Sequence, residues 1–485
     1  MSVQTRAVAI YRRFLPQGWW LVTLLAGFLR FFNLSYPHSL VFDETFYVKD
    51  AWSLIHNGYE SAWPTGTDAK WAHGLVNGYD TIGSFVVHPP LGKFLIALPM
   101  LLFGAQNSWT WRFSTAVFGT LAVLLLMLVA KKLFGSQSAA VLAGLLLAID
   151  GHAIVMSRTG LLDGILMFFI LLAFYCLLLD RAKVRIKYQA MALRGESSVI
   201  WARPWLVACA AALGLATSVK WSGLYVAAIF GLYVVVSETL LRRRLGLKDW
   251  LADGAIGQSV ANFTLMLPVF LGVYVLNWMG WILTNGGWDR HIRASWWQSL
   301  YQYHLDIYNF HVNLHTPHSY ASNPLTWLFM LRPVSFYWKS TDCNQSVNGC
   351  SSAIQAIGNP LIWWGAAAAL FYLVYHYLRY RNRTEGLILL GVAATYLPWL
   401  LYMGRTVFEF YGIAFLPFTI LGLVYTLRSL WYREPVMGRR PWRTAIVWYL
   451  LAVALVSVFF LNLWWGFVTP YWFWLSHMWL GNWWI

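Results

Sequence analysis

The sequence predicts an all-α protein that crosses a membrane about eleven times. Hydrophobic residues make up 59% of its 485 residues and charged residues only 11%, whereas a soluble protein has about 25% charged residues. Its 31 Trp residues stand mostly at the ends of apolar runs, where an amphipathic ring suits the headgroup layer of a bilayer. Together these observations indicate a polytopic membrane protein.

Most of the predicted spans are apolar runs of roughly 20 residues, the length that crosses the hydrocarbon core as a helix. A shorter apolar run at 94–103 predicts a helix that lies in the membrane interface. The predicted spans are 18–34, 111–130, 138–156, 161–179, 204–218, 222–240, 259–284, 360–378, 386–403, 411–427 and 444–468.

The positions of the basic residues predict the orientation of the chain. Most of the 35 Lys and Arg residues fall in short loops on one side, including a basic loop at 180–203, and such loops face the cytoplasm. We therefore expect a cytoplasmic N-terminus and an extracytoplasmic C-terminus in the cell membrane. Arg6, Arg12 and Arg13 precede the first span without a small-residue cleavage site after it, so we expect an uncleaved helix rather than a signal peptide.

Two long polar segments, 35–93 and 285–357, both fall on the outer side. We expect one membrane domain over 1–485, with a first external loop and its juxtamembrane helices at 35–110 and a second large loop at 285–357. The net charge of +16 lies in loops between spans, which favours the anionic cytoplasmic leaflet over nucleic acid as a partner. The sequence has no Gly-rich phosphate loop, which argues against an ATP-driven machine.

The outer boundary collects both acidic and basic side chains. Any one of them could be an anchor that reaches the interface, and Asp43 with Glu44 could simply cap a helix. Acids beside bases in such numbers instead indicate a site that removes a proton from one group while it receives an anion. These residues are Asp43, Glu44, His88, Lys93, Arg112, Arg158, Asp163, Lys220, Arg405 and Glu409.

The second large loop contains the remaining candidates. Cys343 and Cys350 flank a turn-rich hexapeptide, and we expect a disulfide between them if the compartment is oxidising. His311 and His315 are four residues apart, a spacing that metals use, but no Cys or acid nearby completes a ligand set. We expect no metal there, and the histidines then serve the aromatic belt or the binding of an acceptor.

These residues resemble motifs of the protein O-mannosyltransferases, which are polyprenyl-phosphate-mannose-dependent membrane enzymes of the GT-C fold. The similarity extends in order along nearly the whole chain. The family's eukaryotic members carry a β-trefoil domain in the second large loop, for which 285–357 is too short, so the chain resembles a bacterial member. The matching motifs are Val41-Phe42-Asp43-Glu44-Thr45-Phe46-Tyr47, His88-Pro89-Pro90-Leu91-Gly92-Lys93, Trp111-Arg112-Phe113-Ser114, Ser157-Arg158-Thr159-Gly160-Leu161-Leu162-Asp163-Gly164, the run 318–333, the run 358–364 and Arg405-Thr406-Val407-Phe408-Glu409-Phe410-Tyr411.

The resemblance implies a glycosyltransferase that moves mannose from a polyprenyl phosphate to Ser or Thr hydroxyls of secreted proteins, with inversion. It implies Asp43 as the general base and Glu44 as an aid in placing substrate. Arg112 is the matching phosphate partner, and charge makes Lys93, His88 and Arg405 further candidates. Arg158, Asp163 and Glu409 are expected in supporting roles.

The scheme needs no cofactor beyond the lipid-linked donor, because fixed cations can hold a monophosphate. Some GT-C relatives do use a divalent metal, and Asp43 with Glu44 could ligate one. The expected partners are the donor, the acceptor proteins and membrane lipids, and the family makes a link to the secretion machinery plausible.

Three other functions would share some of these features. A related GT-C enzyme could move arabinose or aminoarabinose to a glycolipid, since acidic residues in the first loop are common to these enzymes, but the motifs at 318–333 and 405–411 favour a protein acceptor. A transporter should show inverted repeats with broken helices in both halves, and the sequence shows no such symmetry. A structural scaffold would not need the clustered outer charges.

Overall fold

The computed structural model describes residues 3–343, 349–435 and 440–485 of the chain, with side chains from residue 17 onward. The described chain is a bundle of helices with one small sheet. The helices are α1 (Val3–Phe31), α2 (Glu44–Asn57), α3 (Thr67–Ala72), α4 (Leu91–Phe103), α5 (Ser108–Phe134), α6 (Gln137–Ala148), α7 (Gly151–Met156), α8 (Asp163–Arg194), α9 (Pro204–Val219), α10 (Ser222–Arg244), α11 (Ser259–Leu276), α12 (Met279–Leu283), α13 (Trp296–Asn313), α14 (Pro360–Tyr380), α15 (Arg383–Tyr396), α16 (Leu416–Trp431), α17 (Pro441–Trp465) and α18 (Tyr471–Leu475).

Shorter helical turns extend several of these helices. A π-helical turn, Ala252–Gln258, leads into α11, and a 3₁₀ turn, Leu397–Tyr402, follows α15. Further 3₁₀ turns occur at Pro324–Phe329, Glu409–Ala414 and Gly481–Trp483.

Seven described helices are long and apolar enough to cross a membrane. They are α5, α8, α10, α11 with its π-helical turn, α14, α15 with its 3₁₀ turn, and α17. Shorter apolar helices, α6, α9 and α16, occupy three further predicted positions, and α1 occupies the first. A helix therefore lies at every predicted span, while the number that cross the membrane stays a prediction.

The predicted span at 138–156 is broken, because α6 ends at Ala148 and α7 begins at Gly151. Asp150 stands between them as the N-cap of α7 and accepts a hydrogen bond from Ala153 N at 3.0 Å. Its other carboxylate oxygen accepts from Asn359 N at 3.0 Å and from Trp363 Nε1 at 3.1 Å. The buried carboxylate thus joins the break to the start of α14, and such a cap ends one helix and starts another.

The described chain is mostly helical, as the sequence predicts, but it also contains one small sheet that the sequence does not predict. Strands β1 (Ser335–Thr341), β2 (Cys350–Gln355) and β3 (Val468–Pro470) form an antiparallel sheet in that order. Cys343 and Cys350 are joined by a disulfide with a Cα–Cα distance of 5.6 Å. Strand β2 is buried along its whole length and lies between β1 and β3, so the sheet joins the second large loop to the chain that follows α17.

The first long loop folds against the bundle through α2 and α4. Helix α4 packs on α2, α5 and α9, and its second residue, Gly92, has no room for a side chain, because a Cβ there would lie 2.6 Å from Leu162 Cδ2. The apolar run predicted at 94–103 is therefore a helix that holds the loop against the starts of α5 and α8. This packing brings residues 43 and 88 to the same end of the bundle.

Candidate active site

The backbone just before the acidic pair is held in an unusual conformation. Phe42 has φ = 47°, a region that a bulky residue rarely adopts and that the surrounding structure must enforce. Its ring makes edge-on contacts with four aromatic rings at centroid distances of 5.2 to 5.8 Å, from His318, Phe336, Phe408 and Phe410. We call these five rings the aromatic cage; it fixes where α2 starts.

Asp43 is the N-cap residue of α2, but within the described chain its side chain makes no capping hydrogen bond. The carboxylate is therefore not used to cap the helix, and the side chain of Tyr47 is the hydrogen-bonding group beside it. Burial raises the pKa of Asp43 to about 6. The positive charge of Lys220 works against this rise, and the negative charge of Asp163 adds to it. A carboxylate with such a pKa is well matched to accept a proton near neutral pH.

Glu44 has a different environment from its neighbour. Its side chain is 0% exposed, and Arg112 donates to both of its oxygens, from Nε at 2.7 Å and from Nη2 at 2.8 Å. The backbone N–H groups of Val41 and Gly160 donate to the same carboxylate at 3.0 and 2.7 Å. Glu44 thus ties the first loop to α5 and to the turn before α8, and its contacts are those of an anchor rather than of a substrate ligand.

The geometry argues against Arg112 as the phosphate partner. Besides its two bonds to Glu44, it donates to the carbonyl oxygens of Leu34, Pro37 and Ser39 at 3.4, 2.8 and 3.0 Å. All five N–H donors of the guanidinium are therefore used, and the residue is only 1% exposed. No donor remains for a ligand.

Lys93 is also engaged inside the protein. It is 1% exposed, forms an ion pair with Glu60 and donates to the carbonyl of His88 at 3.2 Å. The Asp50 carboxyl lies in the same buried cluster, and burial raises its pKa to about 7. Lys93 therefore holds the rigid segment that begins at His88, and the geometry does not support contact between its own charge and a phosphate.

His88 and Arg405, by contrast, face an open cavity of about 110 Å³. Asp163, Lys220 and His311 line the same cavity. Burial and the charge of Lys220 keep the pKa of His88 well below its usual range, so this ring is neutral. The cavity therefore presents two cations, Lys220 and Arg405, and the charge of Lys220 also acts on the Asp43 carboxylate. Two cations lining one cavity suit a phosphate ester.

Lys220 is the residue whose part in this site was missed. The sequence placed it among the outer charges without a role. In the structure its Nζ lies 2.8 Å from Asp163 Oδ2 and 5.0 Å from the centre of the Tyr411 ring. A lone Lys between two apolar runs at 204–218 and 222–240 was the signal that could have identified it, because isolated charges in membrane segments are costly.

The other supporting residues make internal contacts. Arg158 donates to the carbonyls of Arg30, Phe32 and Asn33 and so caps the end of α1. Asp163 holds Lys220. Glu409 is fully buried, with Oε1 3.8 Å from His152 Nδ1. Among the described residues, no group of three or more His, Cys, Asp and Glu side chains is placed to hold a metal ion.

Structural comparison defines the class of this fold. The chain is similar to the S. cerevisiae protein O-mannosyltransferase Pmt1-Pmt2 complex bound to the sugar donor, with a TM-score of 0.70 and 15% identity over 93% of this chain and 90% of the other. An Archaeoglobus fulgidus oligosaccharyltransferase gives a TM-score of 0.50 and 14% identity, covering 94% of this chain and 56% of its own. The fold is that of the GT-C membrane glycosyltransferases.

Sequence comparison identifies the family. The dolichyl-phosphate-mannose-protein mannosyltransferase model matches residues 20–284, and the C-terminal four-helix region of protein-O-mannosyltransferase matches 296–483. A Corynebacterium glutamicum polyprenol-phosphate-mannose–protein mannosyltransferase is 31% identical over 96% of this chain and 93% of its own. A Mycolicibacterium smegmatis protein of the same name is 32% identical over 86% and 83%. The chain belongs to the protein mannosyltransferase family and is a glycosyltransferase.

Proposed function

We propose that the chain transfers mannose from polyprenyl-phosphate-mannose to Ser or Thr hydroxyls of secreted proteins, with inversion, at the outer face of the cell membrane. The proposal is carried by the cavity that Lys220 and Arg405 line, with Lys220 close enough to Asp43 to lower the pKa of its carboxyl. The donor and the protein acceptor are those in the names of the bacterial relatives, which are polyprenol-phosphate-mannose–protein mannosyltransferases. In this orientation the N-terminus is cytoplasmic, and the loops at 35–110 and 285–357 are extracytoplasmic.

Asp43 is the general base of the proposed reaction. The acceptor oxygen attacks the first carbon of mannose, and its proton passes to the Asp43 carboxylate as the new bond forms. The bond from that carbon to the phosphate oxygen breaks on the opposite face, and polyprenyl phosphate leaves with the electron pair. Because a phosphate ester is a stable anion, it needs charge neutralisation rather than an acid.

Lys220 and Arg405 supply that neutralisation, with His88 beside them on the same cavity wall. This assignment replaces Arg112, whose donors are all used within the protein. Two cations in a partly closed site act more strongly than they would in water. Arg112 and Glu44 instead hold the loop that carries Asp43.

The test is transfer of radiolabelled mannose from polyprenyl-phosphate-mannose to a Ser/Thr-rich peptide, in membranes with equal amounts of each variant. Asp43→Asn should lower the rate by about 10²–10⁴-fold, the usual contribution of a general base. Asp80→Asn is the matched control, because Asp80 is an exposed carboxylate of the same loop. Wild-type activity in Asp43→Asn would discard Asp43 as the base. No transfer to peptide by the wild type, with transfer to glycolipid, would show another GT-C reaction.

A further inference from the structure

His311 joins two of the residues that face the cavity. It lies near the end of α13, in the second large loop. Its Nδ1 is 2.9 Å from Arg405 Nη2, and its Nε2 is 2.9 Å from the carbonyl oxygen of Val87. The ring also stacks on the adjacent His88, with centroids 5.4 Å apart and planes at 26°.

The two contacts determine the form of the imidazole. A guanidinium has only donors, so the Nδ1 that faces Arg405 must carry a lone pair. A carbonyl oxygen has only acceptors, so the Nε2 that faces Val87 must carry the proton. His311 is therefore neutral and directional: it accepts from Arg405 on one side and donates to the first loop on the other.

Arg405 needs such a partner. It lies in the non-helical segment between the 3₁₀ turns Leu397–Tyr402 and Glu409–Ala414, and its side chain is long and flexible. Within the described chain its Nε has no hydrogen-bond partner. One terminal nitrogen of the guanidinium is thus fixed by His311, and the remaining N–H groups of the two terminal nitrogens are left for a ligand in the cavity that Arg405 lines.

We propose that His311 is a positioning residue that holds the Arg405 guanidinium toward the donor phosphate, at a fixed spacing from His88. This inference rests on the proposed function, since it takes the cavity as the phosphate site. A planar guanidinium binds phosphate well only in the correct orientation. His311 supplies that orientation without adding charge of its own.

The experiment measures binding of undecaprenyl phosphate to the detergent-purified full-length protein by isothermal titration calorimetry. His311→Ala should weaken binding about tenfold, the effect of one lost hydrogen bond to a charged group. In Asn, Oδ1 occupies nearly the place of the imidazole Nδ1, so His311→Asn should keep most of the affinity. In Gln, Nε2 reaches toward Val87 but not Arg405, so His311→Gln should bind as weakly as His311→Ala.

Two controls separate orientation of Arg405 from general damage. His315 lies 2.9 Å from the carbonyl oxygen of Gly404 through Nδ1, so His315→Ala disturbs the same segment without touching the guanidinium and should bind within about twofold of wild type. The double variant His311→Ala/Arg405→Ala should bind no more weakly than Arg405→Ala, because the residues act through one interaction. An additive loss, or an equal loss in His315→Ala, would overturn the proposal.

Failure of this inference differs from failure of the proposed function. Wild-type protein that binds undecaprenyl phosphate but transfers no mannose contradicts the function and leaves the role of His311 at a phosphate site intact. Transfer by the wild type together with unchanged lipid-phosphate affinity in His311→Ala contradicts the role of His311 alone.

Discussion

Two buried ionic clusters lie on the same helix, and they differ in how completely they are paired. Asp163 begins α8 and belongs to the cavity cluster, which also contains Asp43, Lys220 and Arg405. Asp180 lies 17 residues further along α8, about 26 Å away at the rise of a helix. It belongs to the closed cluster, formed by Asp180, Arg181, Arg203 and Glu238.

In the closed cluster nearly every donor meets an acceptor. Arg203 donates to both oxygens of Asp180 at 3.0 and 2.5 Å, to Asn262 Oδ1 at 2.7 Å and to Glu238 at 2.8 Å. Arg181 also donates to Glu238. In the cavity cluster, within the described chain, the Asp43 side chain makes no capping hydrogen bond, and the Arg405 guanidinium is hydrogen-bonded only to His311 Nδ1. Charged side chains that line an open cavity with few protein partners, rather than the number of charges, distinguish a binding site from an ionic anchor.

Removal of Arg203 should have the largest effect on stability. Arg203→Ala leaves Asp180 and Glu238 buried beside a single arginine, and breaking such a cluster should lower the free energy of unfolding by about 3–5 kcal/mol. Denaturation of purified protein in detergent measures this loss. Mannose transfer per folded molecule should stay within about twofold of wild type, and a large loss of transfer at full stability would show that the closed cluster takes part in the reaction.

Arg112→Lys tests whether Arg112 anchors the first loop or contacts the phosphate. A lysine cannot make the paired contact with Glu44 or serve three further carbonyls, so we expect a loss of about 2–3 kcal/mol in unfolding free energy. Stability and the KM for polyprenyl-phosphate-mannose are the measurements. An unchanged KM fits an anchoring role, whereas a raised KM with unchanged stability would return the phosphate contact to Arg112. Arg405→Lys is the counterpart, with a raised KM and little change in stability.

The smallest expected effect is a shift in pH dependence. Asp43 works as a base only when ionised, and its pKa of about 6 makes transfer rise with pH around that value. Asp163 raises this pKa, so Asp163→Asn should move the midpoint of the pH–rate profile to lower pH. The profile of kcat/KM between pH 5 and pH 8 measures it. Asp80→Asn should leave the midpoint in place, and a shift upward in Asp163→Asn would contradict the assignment of Asp43.

Much of the fold could be predicted because each apolar run indicates by itself that its own segment is a helix. Every predicted span has a helix, and the run at 94–103 is α4. The sheet could not be predicted this way, since β2 pairs with β3, which lies after α17. The break at Asp150 was missed for a similar reason: its partners, Asn359 and Trp363, belong to a distant part of the chain.

The site was predictable to the extent that charge is scarce in this chain. Scarcity singled out Asp43, His88 and Arg405, which the structure brings to one end of the bundle. It could not tell which arginine serves a ligand, because Arg112 and Arg405 look alike in sequence. Only the positions of Glu44 and three carbonyls show that Arg112 is fully occupied. The role proposed for His311 could not be predicted from the sequence, because it depends on the tautomer that Arg405 and the carbonyl oxygen of Val87 impose.

The aromatic cage has a consequence for how the enzyme is made. Phe42 is synthesised early, but its partners His318, Phe336, Phe408 and Phe410 come from the second half of the chain. At about 5–20 residues per second, the ribosome reaches the last of them roughly 20–70 s after Phe42. During that interval the four rings that pack on Phe42 are absent, and the contacts of Glu44 with Arg112 and Gly160 are the early ones that hold the turn before Asp43. The aromatic cage that fixes the start of α2 is therefore complete only when insertion of the chain is nearly finished.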